Sequence, residues 1–436
     1  MCLLAAGCGG SPRAGLAPPN FLVIVVDCLR PDHVSANGYQ RRTTASLDRI
    51  AAQGVSFTRA MSQSNWTRPA MPSLLTGLYP SEHGLLAFQE DEDGNVLSPI
   101  VDDSIETVAE RLEAAGYATA LIGQQAQLSR SFGVAQGFEM YDNQAGWSQV
   151  LNRKFLNWLD GSRPERFFAL LHYFDLHWPY CPPKGVRGRF NASAGEFDPC
   201  VDARNLMAAI RSGEHEVSPA ELAAMIGAYD EELFGLDRRI GLLVDALVKR
   251  GVWDDTLVFV TADHGEEFLE HGSVGHRNWP WNELLHVPLI AKQPKSWPGP
   301  RAVLDDTLVE SRSIAATMLD AAGLEPPAGA QSLLAALVGE HFEPRRYVVS
   351  ETNFSIAVQT PSFKLITDRD GNSPRLYDLK NDPLETTDIA GERRREVAEL
   401  RGFLADWRQG LVLAPVSTDI VEGATVDQLR AIGYLD

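Results

Sequence analysis

Two short stretches place carboxylate and imidazole groups where an apolar run ends. Asp263-His264 follows TLVFVTA, and Asp27 follows FLVIVV. A carboxylate and an imidazole side by side can both reach one divalent cation. A third run, RFFALLHYFDLH, carries His172, Asp175 and His177 towards its end. The stretch TRPAMPSLLTG reads as a helix that Thr67 caps, with Pro69 tolerated in the first turn and Gly77 closing it. A hydroxyl at that position is either a plain cap or a nucleophile beside the positive end of a helix dipole.

These groups need elements that bring them together. FLVIVVD, ATALIG, RFFALLHYFDLH, TLVFVTADHG and HVPLIAK read as buried strands. TASLDRIAAQG, SIETVAERLEAAGY and the long run from Ser218 to Gly251 read as helices between them. Continuous apolar strands alternating with helices predict an α/β domain, a mostly parallel sheet with helices on both faces. Ligand sites in such sheets lie outside the carboxyl ends of the strands. Asp27, the His172–His177 cluster and Asp263-His264 all fall at such ends.

From about Tyr347 the runs shorten and alternate: YVVSE, SIAVQT, FKLIT, RLYDL. They predict a small C-terminal antiparallel sheet followed by a helix over ERRREVAELRGFLADWRQG. The expected division is a linker over 1–19, a catalytic domain over 20–345 and an α+β subdomain over 346–436.

The 436 residues are 44% hydrophobic and 22% charged, with a formal net charge of -19. Such a chain buries a sizeable core. Its charge excludes nucleic acid or an anionic membrane as a partner held by charge alone. A small anionic substrate in a local positive pocket remains compatible. There is no run of about 18 apolar residues, so no transmembrane helix is expected.

The motifs and their order resemble the sulfatase family of the alkaline phosphatase superfamily. NFLVIVVDCLRPDHVSANGY is similar to its first strand and metal-binding Asp, and TRPAMPSLLTGLYPSEHG to its nucleophile helix. HYFDLHWPY and VTADHGEEFLEHGSVGH are similar to its third and metal-binding segments, and LYDLKNDPLETTDIA to its C-terminal part. The resemblance spans nearly the whole chain. It implies an alkaline-phosphatase-like fold and hydrolysis of a sulfate or phosphate ester. It implies a divalent cation (calcium, manganese or zinc) on Asp27, Asp263 and His264, with Thr67 at the nucleophile position.

The departures are specific. The family matures a Cys or Ser within Cys/Ser-x-Pro-x-Arg to formylglycine. Here the motif reads Thr67-Arg68-Pro69-Ala70-Met71, and Thr cannot be matured that way. Met71 replaces the motif's Arg, Gly123-Gln124-Gln125-Ala126 replaces a Gly-Lys-Trp-His segment, and Cys28 replaces the second Asp of a pair. These changes favour a metal-activated Thr67 over formylglycine chemistry. His177 and His276 are the candidates for moving protons, and both, with Asp175, for holding a second cation. Arg68 and Arg277 are the candidates for an anion clamp, and His172 lies beside the substrate or behind it. A head-group transferase and a binding protein without turnover are the competing readings.

Other polar groups receive plainer readings. Glu266, Glu267, Glu270 and His271 read as a solvated acidic helix, and His33 and His83 as structural groups near turns. Trp66 and Trp178 flank the motifs and either wall the pocket or simply pack. MCLLAAGCGGSPRAGLAPP resembles the end of a lipoprotein signal with Cys8 lipidated, although its basic start and most of its apolar run are missing. Export to the periplasm or a lipid anchor at Cys8 is therefore expected, with a cytoplasmic location as the alternative. Cys181 and Cys200 flank a loop, and a disulfide and two free thiols are both compatible with the sequence.

Overall fold

The buried runs assemble into one sheet. The computed structural model describes residues 16–90, 96–144, 146–190, 197–201, 203–276, 279–421, 425–426 and 429. Eight strands form the main sheet: β1 (Asn20–Val26), β2 (Gly54–Met61), β3 (Ala118–Gly123), β4 (Met140–Asp142), β5 (Phe167–Tyr173), β6 (Thr256–Thr261), β7 (His286–Lys292) and β8 (Ala302–Glu310). Their order is β8-β2-β7-β6-β1-β5-β3-β4. Only β7 runs antiparallel to its neighbours, and the remaining pairs are parallel.

The centre of the sheet is β5-β1-β6. Phe21 to Val26 are wholly buried, as a strand covered on both faces requires. Each such side chain contributes about 2 kcal/mol of burial. One helix layer packs Ala45–Ala51 and Ser148–Ser162 against the long Pro219–Lys249 helix, and another groups Thr67–Thr76 and Val108–Ala114 around Ser313–Ala321. The register sets Val26 beside Tyr173 and Val25 beside Thr261. The carboxyl ends of β1, β5 and β6 therefore lie side by side.

The C-terminal sheet is antiparallel and follows chain order: Val348–Glu351, Ser355–Gln359, Phe363–Asp368, Arg375–Asp378. The Arg394–Gly410 helix covers it through Val397, Leu400 and Leu404. Beyond that helix, Ser417–Ile420 returns to pair with Val96–Ile100.

Two local expectations change. Thr67 is not the cap of its helix. Trp66, in extended conformation at φ -163°, precedes the first turn, and Thr67 is the first helical residue. Its hydroxyl is thereby released from capping and turned towards β6. The stretch after His264 is not a solvated helix either. Glu267–Phe268 and Val274–Gly275 form a two-stranded hairpin, and Glu266 and Glu267 are buried.

Candidate active site

Thr67, Asp27, Asp263 and His264 meet in one buried cluster. Thr67 Oγ1 lies 3.2 Å from His264 Nε2. The same nitrogen is 3.5 Å from Asp27 Oδ1 and 3.7 Å from Asp263 Oδ2. Ligand atoms of Asp27, Asp263 and His264 all fall within 4.8 Å of one another. His264 Nδ1 lies 2.8 Å from the Gly265 carbonyl. Assigning the proton to Nδ1 leaves Nε2 with its lone pair directed at the carboxylates.

The electrostatics fit a cation. Burial, reinforced by Asp263, raises the Asp27 carboxyl above its ordinary range. Burial opposes ionisation of Asp263 too, but His264 and His172 hold it low. Burial also disfavours the imidazolium of His264, yet Asp263 and Asp27 raise it. Two buried carboxylates and one imidazole form an oxygen-rich, nitrogen-containing donor set suited to a divalent metal.

Around this core lie groups that the sequence reading undervalued. Gln125 donates to Asp27 Oδ2 at 2.9 Å and to Thr67 Oγ1 at 3.4 Å. The Cys28 thiol donates to Asp27 Oδ1 at 3.2 Å. Glu266 Oε1 is 3.3 Å from His276 Nδ1. The ring of His276 stands 4.4 Å from that of His264 and 5.2 Å from that of His177. His177 Nδ1 lies 2.8 Å from the Trp178 carbonyl, and burial pushes this imidazole down to about 4. It is neutral at pH 7.

Two expected roles are corrected, and His172 takes the second of the two places expected for it. Arg68 is not placed to clamp an anion at the cluster. Its guanidinium is fully buried, donates to the Leu86 and Pro99 carbonyls and to Ser98, and lies between Phe88 and Phe132. His172 is fully buried with Nε2 3.4 Å from Asp263 Oδ2, so it backs a carboxylate rather than meeting a substrate. Asp175 is held by Ser148 at 2.7 Å and Arg239 at 3.2 Å, and does not join His177 and His276 in a second cation site. Arg277 lies outside the described residues. His33 pairs with Asp230, and His83 packs behind the Thr67 helix, as structural groups. Trp66 and Trp178 pack edge-on against Phe88 and Tyr180.

A family model described as Sulfatase matches residues 19–324. The chain belongs to the sulfatase family. Membership places it among the ester hydrolases of the alkaline phosphatase superfamily. An arylsulfatase of Clostridium perfringens is 22% identical over 90% of this chain and 95% of its own. A Δ4,5-hexuronate-2-O-sulfatase of Bacteroides thetaiotaomicron is 24% identical over 92% and 90%. A multifunctional alkaline phosphatase superfamily protein of Trinickia caryophylli is 23% identical over 86% and 91%. Among solved structures, a phosphonate monoester hydrolase of Agrobacterium radiobacter matches with a TM-score of 0.74 and 21% identity, covering 90% of this chain and 95% of that one. That likeness establishes the fold.

Within this sulfatase-family site, Gln125 and Glu266 are the residues sequence reasoning missed. Gln125 was visible only as the loss of a cation. Glu266 looked solvated because its partner, His276, lies across a hairpin. Cys181 and Cys200 form a disulfide just beyond the His177 segment. No helix among the described residues is long and apolar enough to cross a membrane.

Proposed function

We propose that this protein is a metal-dependent hydrolase that cleaves a phosphate or sulfate ester through Thr67, without formylglycine. The observation that carries this reading is the Thr67 hydroxyl set 3.2 Å from His264 Nε2, inside the Asp27–Asp263–His264 cluster. Asp27, Asp263 and His264 would hold the cation, with Thr67 beside them. A divalent ion bound there supplies Lewis acidity, lowering the pKa of a nearby hydroxyl and polarising an ester oxygen.

The chain's own groups do the rest. Thr67 Oγ1 attacks phosphorus or sulfur in line with the leaving oxygen. The bond to Thr67 forms as the bond to that oxygen breaks. Thr67 gives up its proton as that bond forms, and His177 or His276 delivers a proton to the leaving oxygen on the opposite side and later takes one from the attacking water. That water attacks the Thr67 ester, and Thr67 regains a proton as it leaves. The start of the ten-residue Thr67–Thr76 helix adds partial positive charge beside the anion. His276, backed by Glu266, is the second imidazole at the site, and Gln125 holds Asp27 and Thr67 in register.

The Cys181–Cys200 disulfide supports an oxidising compartment and hence export. Cys8, the proposed lipid anchor, lies outside the described residues.

The test is a matched nitrophenyl panel: sulfate, phosphate monoester, phosphate diester and phosphonate ester. Each is run metal-free and with calcium, manganese or zinc, beside Thr67→Ala. Metal-dependent phosphoester turnover that vanishes in Thr67→Ala is expected. Turnover retained in that variant would sink the nucleophile.

A further inference from the structure

Three side chains away from Thr67 meet where the first domain touches the C-terminal sheet. His271 sits in the turn of the Glu267–Gly275 hairpin, Glu283 on the short Asn282–Leu285 helix, and Glu385 in the loop before the Arg394–Gly410 helix. One ligand atom from each lies within 4.8 Å of the other two. His271 Nε2 and Glu283 Oε1 are 3.3 Å apart, and neither makes a hydrogen bond. Glu283 is 8% exposed and Glu385 2%.

Charge does not balance here. The buried Lys364 ammonium lies 2.8 Å from Glu385 Oε1, and the Asn282 N–H donates to Oε2 of the same carboxylate. One ammonium offsets one carboxylate. Glu283 Oε1 makes no hydrogen bond, and its near neighbour is the His271 imidazole at 3.3 Å. Burial, with Glu270 and Glu385 nearby, pushes its carboxyl up to about 8. At neutral pH that carboxyl is therefore mostly protonated, and a cation bound between Glu283 Oε1 and His271 Nε2 would take the place of its proton.

The imidazole is already held in place. His271 stacks on Trp281 at 3.8 Å and 12°, and its backbone N–H donates to Glu267 Oε1. One imidazole and two carboxylates suit zinc or a similar first-row ion better than calcium or magnesium.

We propose that His271, Glu283 and Glu385 bind a divalent transition-metal cation, separate from the Thr67 site, that fastens the C-terminal subdomain to the active-site loop. The link to that loop is direct. The Gly265 N–H donates to the Leu284 carbonyl at 2.8 Å. A Cβ on Gly265 would meet the Glu283 carbonyl oxygen at 1.9 Å. Fixing Glu283 therefore fixes the residue that follows His264.

The test uses the full chain with Asp263→Asn, which disables the first candidate site. Zinc per chain is measured after equilibrium dialysis, and melting is followed with and without zinc. The expected result is one zinc in Asp263→Asn and a higher Tm with zinc. Both effects should disappear on adding Glu283→Gln, and likewise on adding His271→Gln, a change in the half-buried turn of a hairpin. In the otherwise native chain each change should lower the count from two zincs to one. Zinc content and Tm shift unaffected by Glu283→Gln and His271→Gln would overturn the proposal, as would an Asp263→Asn protein that binds none. Zinc lost only with Glu283→Gln, and never with Asp263→Asn, would uphold this site and count against a metal at Thr67.

Discussion

The Thr67 hydroxyl and the His264 imidazole, 197 residues apart in sequence, sit 3.2 Å from each other. Two elements produce that contact. Trp66 stays extended and delays the helix by one residue, and β6 ends one residue before Ala262-Asp263-His264. A nucleophile placed this way should be indispensable. Thr67→Ala is expected to lower kcat/KM by at least ~10³-fold without lowering Tm. Thr67→Ser keeps the oxygen and should retain measurable turnover. Steady-state kinetics beside thermal melts decide it. Comparable activity in Thr67→Ala would remove the covalent step.

Gln125 bridges two of these groups, donating to Asp27 and to Thr67. Partners of this kind tune ligands they do not replace, typically by ~10–100-fold in affinity or rate. Gln125→Ala should therefore weaken metal binding and kcat/KM within that range, while the fold persists. Metal titration followed calorimetrically, together with kcat/KM at saturating metal, separates the two effects. A variant indistinguishable from the parent would show that the bridge is incidental.

The difference between Gln125 and Thr67 marks what sequence alone conveys. Asp27, Asp263 and His264 were legible because each follows an apolar strand, and parallel strands align their carboxyl ends. Thr67 was legible as the start of a helix. Its release from capping was not, because that depends on the backbone of Trp66. Glu266 and Glu267 looked solvated because four of six consecutive residues from Glu266 to His271 are ionisable. Their burial follows from long-range partners, His276 for one and the hairpin fold for the other. The four C-terminal strands announced themselves by alternation, whereas the return of Ser417–Ile420 to Val96–Ile100 has no local signal.

Arg68 separates a structural role from a substrate role. Its guanidinium lies 4.0 Å from the Phe88 ring centre and 4.6 Å from that of Phe132, and burial pushes it down to about 9. The carbonyls of Leu86 and Pro99 accept its hydrogen bonds. Arg68→Met strands those acceptors and should cost about 2–4 kcal/mol in urea unfolding. KM of the folded enzyme should stay within about twofold, the shift expected when no ground-state contact is lost. A large rise in KM with stability intact would return Arg68 to the substrate.

His83 makes the fold acid-sensitive. The Leu85 N–H donates to Nδ1 at 3.1 Å, while Nε2 lies 3.2 Å from the Pro69 carbonyl and 3.1 Å from Ser73 Oγ. That arrangement assigns the single proton to Nε2, and a second would face the Leu85 N–H. Burial accordingly pushes the imidazole down to about 3. The unfolded chain takes the proton near its ordinary value of about 6.5. Between those values the unfolded state binds more protons than the folded one. The contribution to stability is therefore complete above pH 6.5 and is lost as pH falls towards 3, by at most ~1.4 kcal/mol per pH unit. His83→Gln removes the titrating group and keeps a donor for Pro69. Urea midpoints between pH 4 and pH 7 should fall less steeply in that variant. Equal slopes would mean that His83 accepts its second proton in the folded protein.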